Sequence, residues 1–285
     1  MSAVSQRAAM KLVRILLPIA QQGTTEACRK VAFGLAQRFG ARLEVLHLCP
    51  APWQRLPYST ELSPFYSQDL IDIGREQVSA EQAEARTWYE KAAQAHPGVV
   101  ADFVPMEGVF ILIAAARARV ADFSVVPSIG SADDAFWAAV REGALFQSGR
   151  PLLVVPEADP GNLGETVVVA WKDGVEATRA VVAAAPFLAT AKRILLVSVQ
   201  EGEREDPSLA AMADYLILTG LKVETSIIGS ESDNAGDAIL RQAASQPGPL
   251  LVMGAYGHWR WREWAFGGVT HRVLTNTTVP VLMAH

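Results

Sequence analysis

Val13 to Ile19 (VRILLPI) is a short continuous apolar run with polar flanks, too short for a helix and of the kind that a strand buried on both faces requires. From Thr24 to Phe39, Ala27, Val31, Phe33, Leu35, Ala36 and Phe39 space themselves along a helix, and Gly40 supplies its stop. Leu43 to Leu48 (LEVLHL) reads as the next strand. A connection rich in proline follows (Pro50, Pro52, Pro57, Pro64) and leads to a charged helix from about Ser79 to Ala95. Val99 to Val104 reads as a strand, Val109 to Arg119 as a helix and Phe123 to Val126 as a strand. A helix through Ala144 and the strand Pro151 to Val155 (PLLVV) close the series. Strands that alternate with helices imply parallel pairing and an α/β sheet.

The pattern then repeats. Thr166 to Trp171 (TVVVAW), a helix from about Glu176 to Leu188, and Arg193 to Val199 (RILLVSV) answer to the first strand, helix and strand. A helix near Ser208 to Thr219, the strand Lys222 to Ile228, a helix near Ala235 to Ala244, and the strands Leu250 to Met253 and Pro280 to Met283 complete the set. Matching Ile19 with Trp171 gives an offset of 152 residues, and matching Pro151 with Pro280 gives 129. The first copy therefore carries 23 extra residues, expected between Pro50 and about Gln77. The chain divides into two domains, 1–157 and 158–285, joined near EADPGNLGE at 157–165. Each is expected to be a mainly parallel five-stranded sheet sandwiched by helices.

Composition narrows the function. The length of 285 residues suits two domains at roughly 150 residues each. With 25 Lys+Arg against 30 Asp+Glu the net charge is −5, the wrong sign for bulk attraction to nucleic acid or an anionic membrane. Cys28 and Cys49 are the only cysteines, so a disulfide framework is excluded. The opening segment MSAVSQRAAMKLVRILLPIA interrupts its apolar run with Lys11, Arg14 and Pro18, unlike a signal peptide, and no stretch reaches the ~20 apolar residues of a membrane span. The expectation is a soluble cytoplasmic protein.

Parallel α/β sheets bind ligands beyond the carboxyl ends of their strands. There, after Met253, stand Gly254-Ala255-Tyr256-Gly257, nine residues, then Gly267-Gly268-Val269-Thr270. Two glycines three apart let the backbone turn closely over an anion, and the second pair opens a helix whose free N–H groups face the same space, which suits a phosphate chain. A glycine that merely turns the chain is the competing explanation.

The segment MGAYGHWRWREWAFGGVTHRVLTNTTVPVLMAH resembles the end of the universal stress protein domain, whose nucleotide-binding members carry Gly-x-x-Gly, nine residues, then Gly-Ser or Gly-Thr. VRILLPIAQQGTTEACRKVAFGLAQRFGARLEVLHL and TVVVAWKDGVEATRAVVAAAPFLATAKRILLVSV are similar to the same family's first strand, helix and second strand, so both halves share the resemblance, which is to a tandem universal stress protein. It implies an adenine nucleotide alpha hydrolase-like fold and an adenine-nucleotide (ATP or AMP) site in the second domain, with Gly254, Gly257, Gly267, Gly268, Val269 and Thr270 in the phosphate motif, the backbone around Val199 and Met253 lining the base, and Ala170, Trp171, Lys172 and His258 among the site residues. Gly268 stands where the family has a hydroxyl residue, and Lys172 where ATP-binding members have an aspartate. Lys172 can reach phosphate, Asp173 can shift into the role, or the two form a solvated turn. The first half has Ala20 at the aspartate position, Pro127-Ser128-Ile129-Gly130 after its fourth strand and Ala138 in place of Gly267, and is expected to be a degenerate structural partner. Because the family's domains pair through their last strands, 151–155 is expected antiparallel to 280–283, an intrachain pseudo-dimer that covers two apolar edges. Whether chains associate further is open, as is a need for magnesium.

Other constellations add little. The run HWRWREW (258–264) mixes Trp and Arg as single-stranded nucleic-acid binders do, but Trp packing under Arg stems, or closure over a nucleotide, accounts for it without nucleic acid. His47, His96, His258, His271 and His285 form no zinc-binding spacing. Asp133, Asp134, Glu142, Asp233 and Asp237 read as helix-start carboxylates, with Asp233 suited to cap the helix from Ala235. No nucleophile elbow is present. The reading is a stress-response binding or regulatory module rather than a dedicated enzyme. Its alternatives are a scaffold acting through unknown protein partners, with no nucleotide, and a slow ATPase.

Overall fold

The computed structural model describes residues 12–20, 24–50, 68–128, 135–200, 207–229, 234–255 and 268–285. Within them, strands β1 (Arg14–Ile19), β2 (Arg42–Cys49), β3 (Ala101–Glu107), β4 (Phe123–Pro127), β5 (Leu152–Val155), β6 (Thr166–Ala170), β7 (Arg193–Gln200), β8 (Val223–Gly229), β9 (Pro249–Gly254) and β10 (Val281–Ala284) form one sheet. Its order is β3-β2-β1-β4-β5-β10-β9-β6-β7-β8. Each half is parallel throughout and repeats the order third, second, first, fourth, fifth strand. The two halves meet where β5 runs antiparallel to β10, with Leu153 opposite Leu282.

The continuous apolar runs are explained by burial on both faces, as parallel sheets require. One face is covered by α1 (Glu26–Phe39), α2 (Gln68–Ala95), α5 (Val175–Ala183), α6 (Ala185–Leu188) and α7 (Pro207–Leu218), the other by α3 (Phe110–Ala118), α4 (Ala135–Phe146), α8 (Ala235–Ala244) and α9 (Val269–Asn276). Alternate strand residues sort between the two cores: Ile15, Leu17 and Val169 face α1 and α5, whereas Leu16 and Val168 face α3, α4, α8 and α9. Helix α1 starts on Thr25, whose hydroxyl accepts from the Cys28 N–H at 3.1 Å, and ends on Gly40 at φ 62°, a left-handed position that glycine enters without a Cβ penalty. The helix expected over 176–188 is divided at Ala184. Pro186 lacks an N–H and crowds the carbonyl four residues earlier, so α5 stops at Ala183 and α6 is a separate short turn.

Strand registers locate the extra length of the first half. Leu43 on β2 is equivalent to Ile194, an offset of 151, while Ala101 on β3 is equivalent to Val223, an offset of 122. The insertion therefore lies between β2 and β3, and α2, at 28 residues, begins at Gln68 rather than near Ser79. Residues 51–67 of the proline-rich stretch lie outside the described residues.

At the seam, Leu152, Leu153, Val154, Val281, Leu282 and Met283 are all fully buried. Phe187 of α6 packs edge-on to Phe39 of α1 at 5.3 Å and against Phe123 at 5.9 Å, joining the halves on one face. Arg38 crosses the same boundary, donating from Nη1 to the Leu163 carbonyl at 2.8 Å and from Nη2 to the Thr190 hydroxyl at 2.6 Å. On the other face the ring of His285 meets Phe146 at 5.0 Å.

Both cysteines are buried, and burial pushes the Cys28 thiol well above its ordinary value. Cys49 Sγ lies 3.3 Å from Nδ1 of His47, which is 1% exposed and stacks on Phe103. Among the described residues no helix is long and apolar enough to cross a membrane.

Two outcomes follow from this packing. Phe187→Ala should lower the unfolding free energy by about 3–5 kcal/mol in urea denaturation, the range for losing a fully buried Phe; a loss below about 1 kcal/mol would mean the aromatic cluster does not tie the halves. Burial lowers the His47 pKa from its ordinary 6.5, against a smaller opposing effect of Glu81. Above pH 6.5 the imidazole is neutral in both states and its contribution is fully present; below it the unfolded chain takes up a proton that the folded chain resists, so stability falls with pH down to the lowered folded pKa. Urea midpoints measured from pH 7.5 to pH 5.5, about one unit either side of 6.5, should fall more steeply for the parent protein than for His47→Gln.

Candidate functional site

The candidate site lies at the carboxyl edge of the second half. Strands β6 and β9 are neighbours with Ala170 in register with Met253, and β7 lies on the far side of β6 with Val197 beside Ala170. Ala170, Val199, Met253 and Val269 all pack on the face covered by α8 and α9, together with Ile228 of β8. Trp171 does not join them. Its side chain belongs to the opposite core, with its indole N–H donating to the Ser208 hydroxyl at 2.9 Å and its backbone N–H to the Val197 carbonyl at 2.7 Å. Alternation along the strand is the reason: successive side chains point to opposite faces.

After Trp171 the chain turns through Lys172 and Asp173, both exposed, and enters α5 at Gly174, which offers no side-chain cap. Neither Lys172 nor Asp173 has an ion-pair partner among the described residues. Helix α9 also starts without a side-chain cap, on Gly268 at φ −69°, ψ 161°. Both helices begin at the carboxyl edge, one on each face, so both leave first-turn N–H groups and the positive end of a helix dipole there. Among the described residues no atom would come within 4 Å of a Cβ built on Gly268, and Thr270, in the first turn of α9, is buried. Gly257, His258 and Gly267, with the whole of HWRWREW, lie outside the described residues.

Gly254 has a structural reason for its identity that sequence reading did not find. A Cβ there would stand 2.6 Å from the Ala177 backbone nitrogen and 2.8 Å from the Glu176 carbonyl carbon. Helix α5 is laid directly across the end of β9, and only a residue without a side chain permits that approach. Helix α9 is held from the other side: Arg272 donates from Nε and Nη2 to both carboxylate oxygens of Asp237 on α8, at 2.9–3.1 Å, and this pairing holds the Asp237 carboxyl below its ordinary pKa. Helix α8 itself is capped by Asn234, whose side chain accepts from the Gly236 N–H at 2.9 Å; Asp233, like Asp133 and Asp134, lies outside the described residues.

The corresponding edge of the first half is built differently. Register makes Ile19 equivalent to Trp171 and Pro127 equivalent to Gly254. Ala20 donates its N–H to Thr24, and α4 begins at Ala135, so Ala138 is already inside a helix where the second half has the residues before α9. Among the described residues no cluster of His, Cys, Asp and Glu could hold a metal ion.

Comparison with known proteins places this geometry in a class. The sequence model of the universal stress protein family matches residues 164–285. No curated protein matches the chain. A universal stress protein from Archaeoglobus fulgidus DSM 4304 superposes with a TM-score of 0.71 at 19% identity, covering 95% of each chain. A functionally unknown protein, PA1789 from Pseudomonas aeruginosa PAO1, superposes with a TM-score of 0.57 at 14% identity, covering 95% of this chain and 92% of that one. Residues 164–285 form one universal stress protein domain, and the chain as a whole shares the fold of these structures.

The two glycines should separate cleanly in mutagenesis. Gly254→Ala is expected to cost about 1–3 kcal/mol in urea unfolding, as overpacked sites do, while Gly268→Ser, with open space and a hydroxyl now able to cap α9, should match or slightly exceed the parent, by a few tenths of a kcal/mol at about that scale. Equal stability of the two variants would mean that α5 does not press on β9 as described.

Proposed function

We propose that the chain is a tandem universal stress protein, with residues 1–157 and 158–285 as two copies of one domain paired as an intrachain pseudo-dimer. Its second domain binds an adenine nucleotide, ATP or AMP, and the protein acts as a stress-response regulatory module in the cytoplasm. The observation that carries the reading is the carboxyl edge of the second half: two helix starts without side-chain caps, at Gly174 and Gly268, with the exposed cation Lys172 beside one of them. These groups suit an anion, and the apolar surface of Ala170, Val199 and Met253 below suits a base. In this reading Lys172 contributes charge to the phosphates where the resembled family uses a carboxylate, and backbone N–H groups at 268 and 269 serve in place of a hydroxyl. The first domain supports the second and binds no nucleotide, since α4 occupies the place of the loop.

A scaffold reading is favoured by one specific observation: the contact of Gly254 with α5 explains that glycine without any ligand. Calorimetric titration of the full chain with ATP and with AMP, magnesium present, distinguishes the two. Saturable binding at about one site per chain, abolished by Gly257→Val, is the expected result, the glycine loop being the element that approaches the phosphates. Absence of binding to the parent chain would leave protein contacts as the mode of action.

A further inference from the structure

The sheet has two outer strands, β3 and β8, and their free edges are built differently. Leu43 donates its N–H to the Val100 carbonyl at 2.9 Å, and Gly108 donates to the Cys49 carbonyl at 3.3 Å. These bonds set the alternation along β3: Asp102, Val104 and Met106 turn their backbone groups to β2, while Ala101, Phe103 and Pro105 turn theirs outward. The outward row is blunted twice. The Tyr89 hydroxyl of α2 donates to the Ala101 carbonyl at 2.7 Å, and Pro105 has no N–H to offer. On β7, Arg193 donates to the Glu165 carbonyl at 3.3 Å and the Val197 carbonyl accepts from Trp171 at 2.7 Å, so Ile194, Leu196 and Ser198 serve β8. Their register partners Val223, Thr225 and Ile227 therefore turn N–H and C=O outward, where no described residue bonds them. The offset of 122 that relates Ala101 to Val223 sets Ile227 where the first half has Pro105, and Ala211 of α7 where it has Tyr89. Both blunting devices are missing from β8, and Thr225 and Ile227 are exposed there, Ile227 by 55%.

We propose that the free edge of β8 is an interface between two copies of this chain, joined by antiparallel pairing of their β8 strands about a two-fold axis at Thr225. A strand edge with unpaired backbone groups is a template for another strand, and β8 is complementary to itself. With Thr225 opposite Thr225 of the second copy, Val223 stands opposite Ile227 and Ile227 opposite Val223. The outward groups of all three residues then pair, about six hydrogen bonds in all. Side chains branched at Cβ face one another across the seam, a favourable cross-strand arrangement, and Glu224 stands opposite Ser226, so no like charges meet. Val223 packs on the core that α7 covers, and the two-fold axis keeps both α7 helices on one side of the joined sheet. Tyr215, Ile217 and Leu218 of that helix are exposed, Leu218 by 86%. The blunted edge of β3 closes the assembly at two copies: β8 on β3 of a next copy would run on as a filament, and Pro105 and the capped Ala101 carbonyl oppose that contact. The strand is only about 23 Å long, so the contact is small and the pair forms reversibly with concentration. It is independent of nucleotide binding.

Sedimentation equilibrium of the full chain without nucleotide, over a rising concentration series, tests the interface, with Ile227→Pro, Thr225→Lys and Thr225→Glu beside the parent. The parent is expected to pass from monomer to dimer and no further. Ile227→Pro gives β8 the device that β3 carries. The N–H it removes faces away from β7, so no bond inside the sheet is lost, while each dimer loses two. The dissociation constant is expected to rise about tenfold to a hundredfold with the urea midpoint of the monomer unchanged. Thr225→Lys and Thr225→Glu each set like charges on the axis and are expected to weaken the dimer several-fold. An equimolar mixture of the two sets Lys opposite Glu and is expected to return to the parent affinity or better. Should Ile227→Pro fail to fold, this pair decides: a mixture that dimerises more tightly than either variant alone upholds the proposal, and a mixture no tighter than its components overturns it. A parent that stays monomeric up to about 1 mM, the weak limit of specific association, overturns the proposal, and does so even if that monomer takes up a synthetic peptide of residues 222–229, since β8 is then an acceptor for extended peptides. A dimer left unchanged by folded Ile227→Pro, or growth beyond the dimer, overturns it as well.

Discussion

The antiparallel contact of β5 with β10 is the constraint on which the remaining architecture depends. Each half alone would end in a short, wholly apolar edge strand, a template for association with other chains. Pairing the two edges buries six side chains completely and makes one sheet of ten strands. Because every strand inside a half is parallel and only this contact is antiparallel, the carboxyl ends of the two halves open at opposite edges of the sheet. Each half thus has its own carboxyl edge, while the amino-end surroundings of the other half come up beside it, as Phe146 does beside His285.

That arrangement lets the two halves differ without loss of the fold. The inner strands are held alike, because both faces of each are buried and a change of register would misplace every side chain; only the outermost strands β3 and β8 are partly exposed. The carboxyl edges carry no such constraint. In the first half α4 starts early at this edge; in the second, α5 and α9 begin there without side-chain caps. The two halves differ at their carboxyl edges, the region where parallel sheets place ligand sites.

Much of this was legible in the sequence. The repeat of short apolar runs and amphipathic segments determined the α/β class, the repeated strand order and the equivalence of Ile19 with Trp171, because strands buried on both faces admit little but Val, Ile and Leu and so keep their signature. The apolar character of 151–155 and 280–283, with the resemblance, pointed to their pairing. The glycine spacing marked the loop after β9. Helix interruption at Pro186 and the early start of α2 escaped, since element ends depend on local competition between caps, prolines and tertiary packing.

Only the tertiary structure decided what each marked residue does. Trp171 and Met253 look alike as strand-end apolar residues, yet the pleat sends one to the core with Ser208 and the other to the face of Val199 and Val269. Gly254 reads as loop chemistry in one dimension and is required by α5 crossing the strand in three. His285 sits 30 residues from Ala255 and 139 from Phe146, separations no periodicity relates, and gains its place only when β9, β10 and α4 are brought together. Local pattern encodes which face of an element is apolar; which neighbour covers that face is a property of the packed chain.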